Sequence, residues 1–379
     1  MKTIQLQRTQ NSDWTYLNEK ITLKSPLVLV FGKRELLEDE KIYEEVKNLF
    51  NDGHIVFGST AGDITEEKVD NDSITITAIE FEKSTYEVRR LNILDSGDKA
   101  NSTDTGRALV NSFPKDGLKH VFVVSEGSFV NGSHLTQGMN EAVNNEVLIT
   151  GALCGDAAKF EKTLASYNEN PKVGEVVAIG LYGESLEVSC AINGGWTPFG
   201  PERIVTKSED NILYELDGKP ALDLYKNYLG DKAKELPGAA LLYPLKVKSD
   251  NENYSIVRTI LNINEKEQSM ILAGNILKGE RVQLMMTHVD NIVNASESAA
   301  IYANKDRKKE AELAILVSCI GRKLVLDQRV EEEIEEVMET IGKKATICGM
   351  YSYGEIAPFN GEKKCQLHNQ TMTITLISE

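Results

Sequence analysis

An α+β fold is predicted, with two related domains whose mixed, largely antiparallel sheets are covered by helices. Three observations predict it. The chain opens strand–helix–strand, long β-rich stretches follow, and short apolar runs end repeatedly in polar loops that carry glycine. A layered stack with two sheets facing each other between helices is one arrangement this pattern permits.

The elements follow in order. Pro26–Phe31 is a continuous apolar run closed by Gly32, the pattern of a strand buried on both faces. Leu36–Phe50 places Leu37, Ile42, Val46 and Leu49 near helical spacing, and His54–Phe57 is the next strand. Ser73–Phe81 alternates as a half-buried strand, with Tyr86–Leu91 as its expected partner. Thr103–Phe113 reads as a helix stopped by Pro114, Val121–Val124 as a buried strand, and Leu135–Val143 as a helix. Val176–Tyr182 and Leu186–Ile192 are strands joined by Gly183-Glu184, an expected hairpin.

The breaker cluster Asn193–Pro201 (NGGWTPFGP) marks a domain boundary, giving domains 1–192 and 193–379. Beyond it, Arg203–Lys207 and Ile212–Leu216 turn at Asp210-Asn211, and Pro220 opens a helix to Tyr228. Ala239–Tyr243, Ile256–Ile263, Met270–Ala273 and Val282–Met286 read as strands. A helix starts near His288 and runs through Tyr302. Leu313–Cys319 is a buried strand. Asp327–Ile341 is an amphipathic helix whose acids, Glu331–Glu333 with Glu335 and Glu336, are expected on a solvated face. Met372–Ile377 closes the chain as a strand.

One device recurs. Gly58–Asp63 and Gly151–Asp156 both read Gly-x-x-x-Gly-Asp, and Gly349–Glu355 reads Gly-x-x-x-x-Gly-Glu. Each follows a short apolar strand, which suggests related units. The last belongs to Gly349–Thr371, where two tyrosines, an acid and His-Asn-Gln-Thr fill a short span expected to wall a polar ligand site.

Composition narrows the function classes. A formal charge of −16 argues against nucleic acid or an anionic membrane surface as partner. The basic run Lys305–Lys309 reads as a solvated helix end. The amino terminus lacks the apolar core of a signal peptide, and no apolar run reaches the ~18 residues of a membrane span. Five widely spaced cysteines without a CxxC pair read as reduced thiols in the cytoplasm. With no paired ligand spacing, neither a metal nor a cofactor is expected.

The run GGWTPFGPERIVTKSEDNILYELDGKPALDLYKNYLG resembles the opening of a FIST C domain. LVSCIGRK, GMYSYGEIAP and LHNQT resemble its later motifs; HIVFGSTAGDI and VLITGALCGDAAKF resemble a FIST N domain. The resemblance covers nearly the whole chain. It implies an intracellular sensory protein for a small ligand such as an amino acid, and it carries over no catalytic residue. One departure is the lack of an F-box, kinase or other output segment, so a signal is expected to pass to a separate partner protein.

The candidate ligand-binding residues are Ser59, Thr60, Cys154, Arg322, Tyr351, Tyr353, Glu355, His368 and Asn369. Exposed amides and hydroxyls in the Ser59-Thr60 and Cys154 loops suit an anion, although a tight turn explains the same pattern. The Arg322 guanidinium suits a ligand carboxylate, and an ordinary salt bridge is its plain alternative. Glu355 is expected to hold a ligand ammonium and to complement Arg322. Tyr351 and Tyr353 fall on one face of an extended stretch. His368 and Asn369 equally fit turn chemistry. Two further readings stay open: an enzyme using Cys319 or His288, and a protein-interaction module with an acidic docking surface.

Overall fold

The computed structural model describes residues 1–66, 68–99, 101–143, 147–249 and 254–379. Its class is α+β, and most of it is one design used three times. In each unit an edge strand comes first, a parallel strand pair follows, and a return strand inserts between edge and pair, antiparallel to both.

In the first unit the edge is Lys2–Thr9, the pair is Leu27–Lys33 with His54–Thr60, and the return is Ser73–Glu80. Helices α1 (Arg34–Leu37) and α2 (Ile42–Leu49) join the pair, so the single expected helix is broken at its first turn. The second unit repeats the order with Thr85–Asn92, Leu118–Ser125, Leu148–Leu153 and Glu175–Tyr182. Here α3 (Ser102–Asn111) follows the edge strand and α4 (Gly132–Val143) joins the pair. Their backbones lie close because α4 carries Gly138, where a Cβ would stand 1.8 Å from the Thr103 carbonyl oxygen.

After the third unit's edge strand the chain builds a separate antiparallel sheet within residues 197–286, crossed by α5 (Ala221–Leu229) and filled by its own core around Leu213, Leu222, Tyr225 and Met270. The expected strand at Ala239–Tyr243 is a 3-10 helix, Gly238–Leu242. The third unit then has edge Glu187–Asn193, pair Leu313–Cys319 with Thr346–Ser352, and return Met372–Ser378. Its helices are α6 (Val289–Asn304), α7 (Ile320–Leu326) and α8 (Glu332–Ile341).

The apolar runs are continuous because both faces of these strands are buried. Leu27, Leu29 and Phe31, Phe122 and Val124, and Leu313, Ile315 and Val317 point into one shared core made by all three sheets. The alternate residues point outward under helices: Val28 and Val30 under α2, Val121 and Val123 under α3 and α4, Ala314 and Leu316 under α6 and α8. In place of two sheets facing each other, three sheets meet about a common centre.

This design corrects two expected pairings. Ser73–Glu80 does not pair with Thr85–Asn92, nor Glu175–Tyr182 with Glu187–Asn193. Each short connection hands the chain to the next unit, where the second strand becomes that unit's edge. Adjacent strands with a tight turn therefore look like hairpins in sequence.

The units also exchange strands in a cycle. Asp63–Ile64 of the first adds to Thr346–Ser352 of the third, and Gly354–Pro358 of the third adds to Leu148–Leu153 of the second. Ala165–Tyr167 of the second completes the cycle on His54–Thr60.

Candidate functional site

Two of the exchanged strands, Asp63–Ile64 and Gly354–Pro358, begin within glycine motifs, and each motif loop grips a neighbour by its backbone. Ala61 N donates to Tyr351 O and Tyr351 N to Gly62 O, both at 2.8 Å. Gly155 N donates to Ser59 O at 2.9 Å and Tyr353 N to Leu153 O at 3.0 Å. Gly155 suits this close approach, since a Cβ would sit 3.0 Å from Ala61 N and the neighbouring backbone would have to give. The recurring motif is thus the locking device of the ring.

The acid that ends each motif is buried and satisfied from within. Asp63 accepts from Thr60 Oγ1 at 2.7 Å and Ser73 Oγ at 2.8 Å. Glu355 repeats that pattern, accepting from Ser352 Oγ at 2.8 Å and Thr371 Oγ1 at 3.0 Å. Asp156 accepts from the Phe160 and Lys162 amides at 3.0 Å and from the Tyr353 hydroxyl. Burial outweighs the hydrogen bonds at two of them, raising Asp63 to about 7 and Glu355 to about 8.

The other expected residues lie in this lock or behind it. Ser59 accepts from Leu164 N at 2.9 Å, and Cys154 is fully buried. Arg322 is fully buried in a closed network: it donates to Glu333 Oε2 and Ser296 Oγ at 2.6 Å and to Gly194 O at 2.8 Å. Its ion pair is with Glu333 and not with the expected Glu355. Glu333 also accepts from Ser318 Oγ at 3.0 Å and from the Tyr351 hydroxyl. The acids of α8 are therefore not all solvated, because the inward side of its first turn delivers Glu333 to Arg322. Tyr351 and Tyr353 part company, the first reaching Glu333 and the second Asp156, with Phe160 stacked on Tyr353 at 4.4 Å. His368 bonds Ala357 O at 3.0 Å and is held neutral by burial, its pKa lowered to about 4. Asn369 has a buried side-chain oxygen with no partner among the described residues.

Cys319 is buried, and burial drives its thiol far above the ordinary range, which opposes thiolate formation. Iodoacetamide at neutral pH is expected to leave Cys319 unmodified in the folded protein and to label it on denaturation, as read by peptide mass spectrometry. Rapid native labelling would restore it as a nucleophile. Among the described residues no cluster of His, Cys, Asp and Glu is arranged to hold a metal.

Open volume lies to one side of the lock. A cleft of about 650 Å³ separates α4 from the sheet of residues 197–286, and its third wall is Cys365–Leu367 of the closing stretch. Across it, Asn275 reaches α4: Asn275 N donates to Ser133 Oγ at 3.1 Å, and its side chain meets His134 Nε2 at 2.8 Å and Asn131 Nδ2 at 2.9 Å. Arg258 also lines the cleft while almost wholly buried, and it donates to Leu367 O at 2.9 Å and Asn275 O at 3.1 Å. Sequence reading missed Arg258, Asn275 and His134. The one available signal was a charge inside the apolar run Ile256–Leu261.

Comparison with known proteins places this architecture. The FIST N domain profile matches residues 26–219 and the FIST C domain profile residues 221–358. The chain belongs to the FIST family. FIST domains are generally linked to sensory or signal-transduction roles. An uncharacterized protein of Methanocaldococcus jannaschii is 27% identical over 239 residues, which is 55% of this FIST chain and 44% of the relative. The match thus spans less than half of that relative's length. The crystal structure of a cyanuric acid hydrolase from A. caulinodans aligns over 93% of this chain and 90% of its own, at 7% identity and a TM-score of 0.35. No helix among the described residues is long and apolar enough to cross a membrane.

Proposed function

We propose that this FIST protein is a cytoplasmic sensory protein that binds a small ligand, an amino acid or similar small carboxylate, and relays its presence to a separate signalling partner. The single observation that carries the reading is the open polar cleft between α4 and the 197–286 sheet. In the two-domain division, residues 1–192 supply the α4 wall and residues 193–379 supply the other two. A ligand bridging these walls stabilises one relative position of them, and that differential contact is what a sensor needs. The five cysteines, all unpaired, support a reducing compartment. None of the nine residues from the sequence lines the cleft: Glu355 and His368 pair beside its third wall, and the others lie in the lock and the networks behind it.

Thermal-shift screening of the full chain against amino acids and small carboxylates tests the reading. A ligand present at about 100 times its Kd raises stability by about 2.7 kcal/mol. Protection by at least one member of the panel is expected. A folded protein that none of them stabilises would remove this ligand class.

A further inference from the structure

We propose that Arg258 is the carboxylate seat of the cleft, so that the ligand is a small acid held by its carboxylate. This rests on reading the cleft as the ligand site. Arg258 ends the strand Ile256–Arg258, is only 4% exposed, and lines the cleft. Among the described residues its hydrogen bonds go to carbonyls alone: Nε to Asn275 O, and Nη1 to Leu367 O and, at 3.4 Å, to Val257 O. Nη2 makes none of them. Carbonyls orient a guanidinium without neutralising it, and a buried charge without a counter-charge is costly.

The other buried arginine of this chain shows the contrast, since Arg322 holds the Glu333 carboxylate at 2.6 Å. Among the described residues Arg258 holds no carboxylate at ion-pair distance, the charge that acts on it being Glu280 through space, and it faces open volume. Its planar fork matches a carboxylate, and a low-dielectric wall strengthens that bond. Gly274 packs on the flat face of the guanidinium, where a Cβ would stand 2.9 Å from Cζ, so the fork is fixed in orientation.

Glu280 lines the same cleft, with one carboxyl oxygen accepting from Leu277 N at 2.8 Å. It is the charge a ligand acid must tolerate. His134 and Asp210 also face the cleft, at 3.6 Å from each other, with Glu141 and Lys364 on its rim. The same Asn275 that accepts from Arg258 grips α4 through Ser133 and His134. Filling the seat therefore acts on the contact that joins the two walls.

The test is a thermal-shift titration of the full chain with acetate, succinate and L-glutamate. Acetamide and succinamide serve as uncharged controls and inorganic phosphate as a non-planar anion. The acids are expected to raise the melting temperature and the amides not. Arg258→Gln is expected to weaken acid binding about tenfold or more, measured against its own unliganded melting point, with Arg258→Lys in between. Glu280→Gln keeps an acceptor for Leu277 N and removes an acid, so it is expected to tighten acid binding, an effect independent of whether Arg258→Gln folds. Equal acid affinity in the wild type, Arg258→Gln and Arg258→Lys overturns the seat and leaves the cleft reading intact. Protection by phosphate or the amides without the acids does the same. No protection by any probe, charged or uncharged, overturns both.

Discussion

Arg322→Ala is expected to destabilise the protein by about 3–5 kcal/mol, the loss typical when one partner of a buried ion pair is removed. The change strands the Glu333 carboxylate, which is fully buried, with the Tyr351, Ser318 and Ser296 hydroxyls as its remaining partners. It also frees the carbonyls of Gly194 and Ile292, through which Arg322 ties α7 to α6 and to the linker after the edge strand Glu187–Asn193. Removing both charges together, in Arg322→Met with Glu333→Leu, is expected to cost less than Arg322→Ala, because no uncompensated charge stays behind. Urea unfolding followed by circular dichroism measures each variant. A ligand clamp in open volume would behave differently, since its loss leaves the unliganded protein nearly unchanged. Destabilisation of Arg322→Ala by less than about 1 kcal/mol would therefore refute the structural role.

Stability is expected to fall as pH rises from about 6.5 to about 8, by on the order of 2 kcal/mol. The sign follows from the buried acids. Asp63 and Glu355 keep their protons in the folded chain up to about 7 and about 8, whereas the unfolded chain releases them near the ordinary carboxylate value of ~4. Between those limits the folded state binds more protons, so rising pH favours unfolding. Two buried histidines act in the opposite sense at lower pH. His120 and His368 stay neutral down to about 3 and about 4, while the unfolded chain protonates them below ~6.5. The two effects oppose each other below ~6.5, and above it the carboxyl groups dominate, opposed towards pH 8 by Lys323, whose ammonium pKa burial lowers to about 8. Glu355→Gln is expected to flatten the upper part of this slope and Asp63→Asn the part below about 7. Chemical denaturation at intervals across the window reads both, and a Glu355→Gln protein that keeps the wild-type slope would show that Glu355 is ionised in the folded state.

Much of the fold was legible because the parallel pair and the return strand of each unit are buried on both faces. That requirement writes continuous apolar runs such as Pro26–Phe31 and Leu313–Cys319, and it places a glycine-bearing loop after the second strand of every pair. The polarity of Gly349–Thr371 was legible for the same reason, but its purpose was not. A carboxyl group that caps a buried loop and one that holds a ligand use the same residue types, and only the partners separate them. Glu355 has Ser352 and Thr371, so its hydrogen-bonding capacity is spent inside the protein.

By itself, then, the sequence determined the α+β class, the family, the recurrence of one strand–loop device and the polar character of the closing stretch. Only the tertiary structure decided that Arg322 meets Glu333, that successive strands such as Ser73–Glu80 and Thr85–Asn92 enter different sheets, and that Arg258 lines a cleft with no ion pair of its own among the described residues. The physical reason is range. Periodicity and turn chemistry act over a few neighbours, whereas Arg322 meets Glu333 from a different helix and the exchange of strands joins residues more than a hundred positions apart, and those contacts are set by packing of the three sheets about one core.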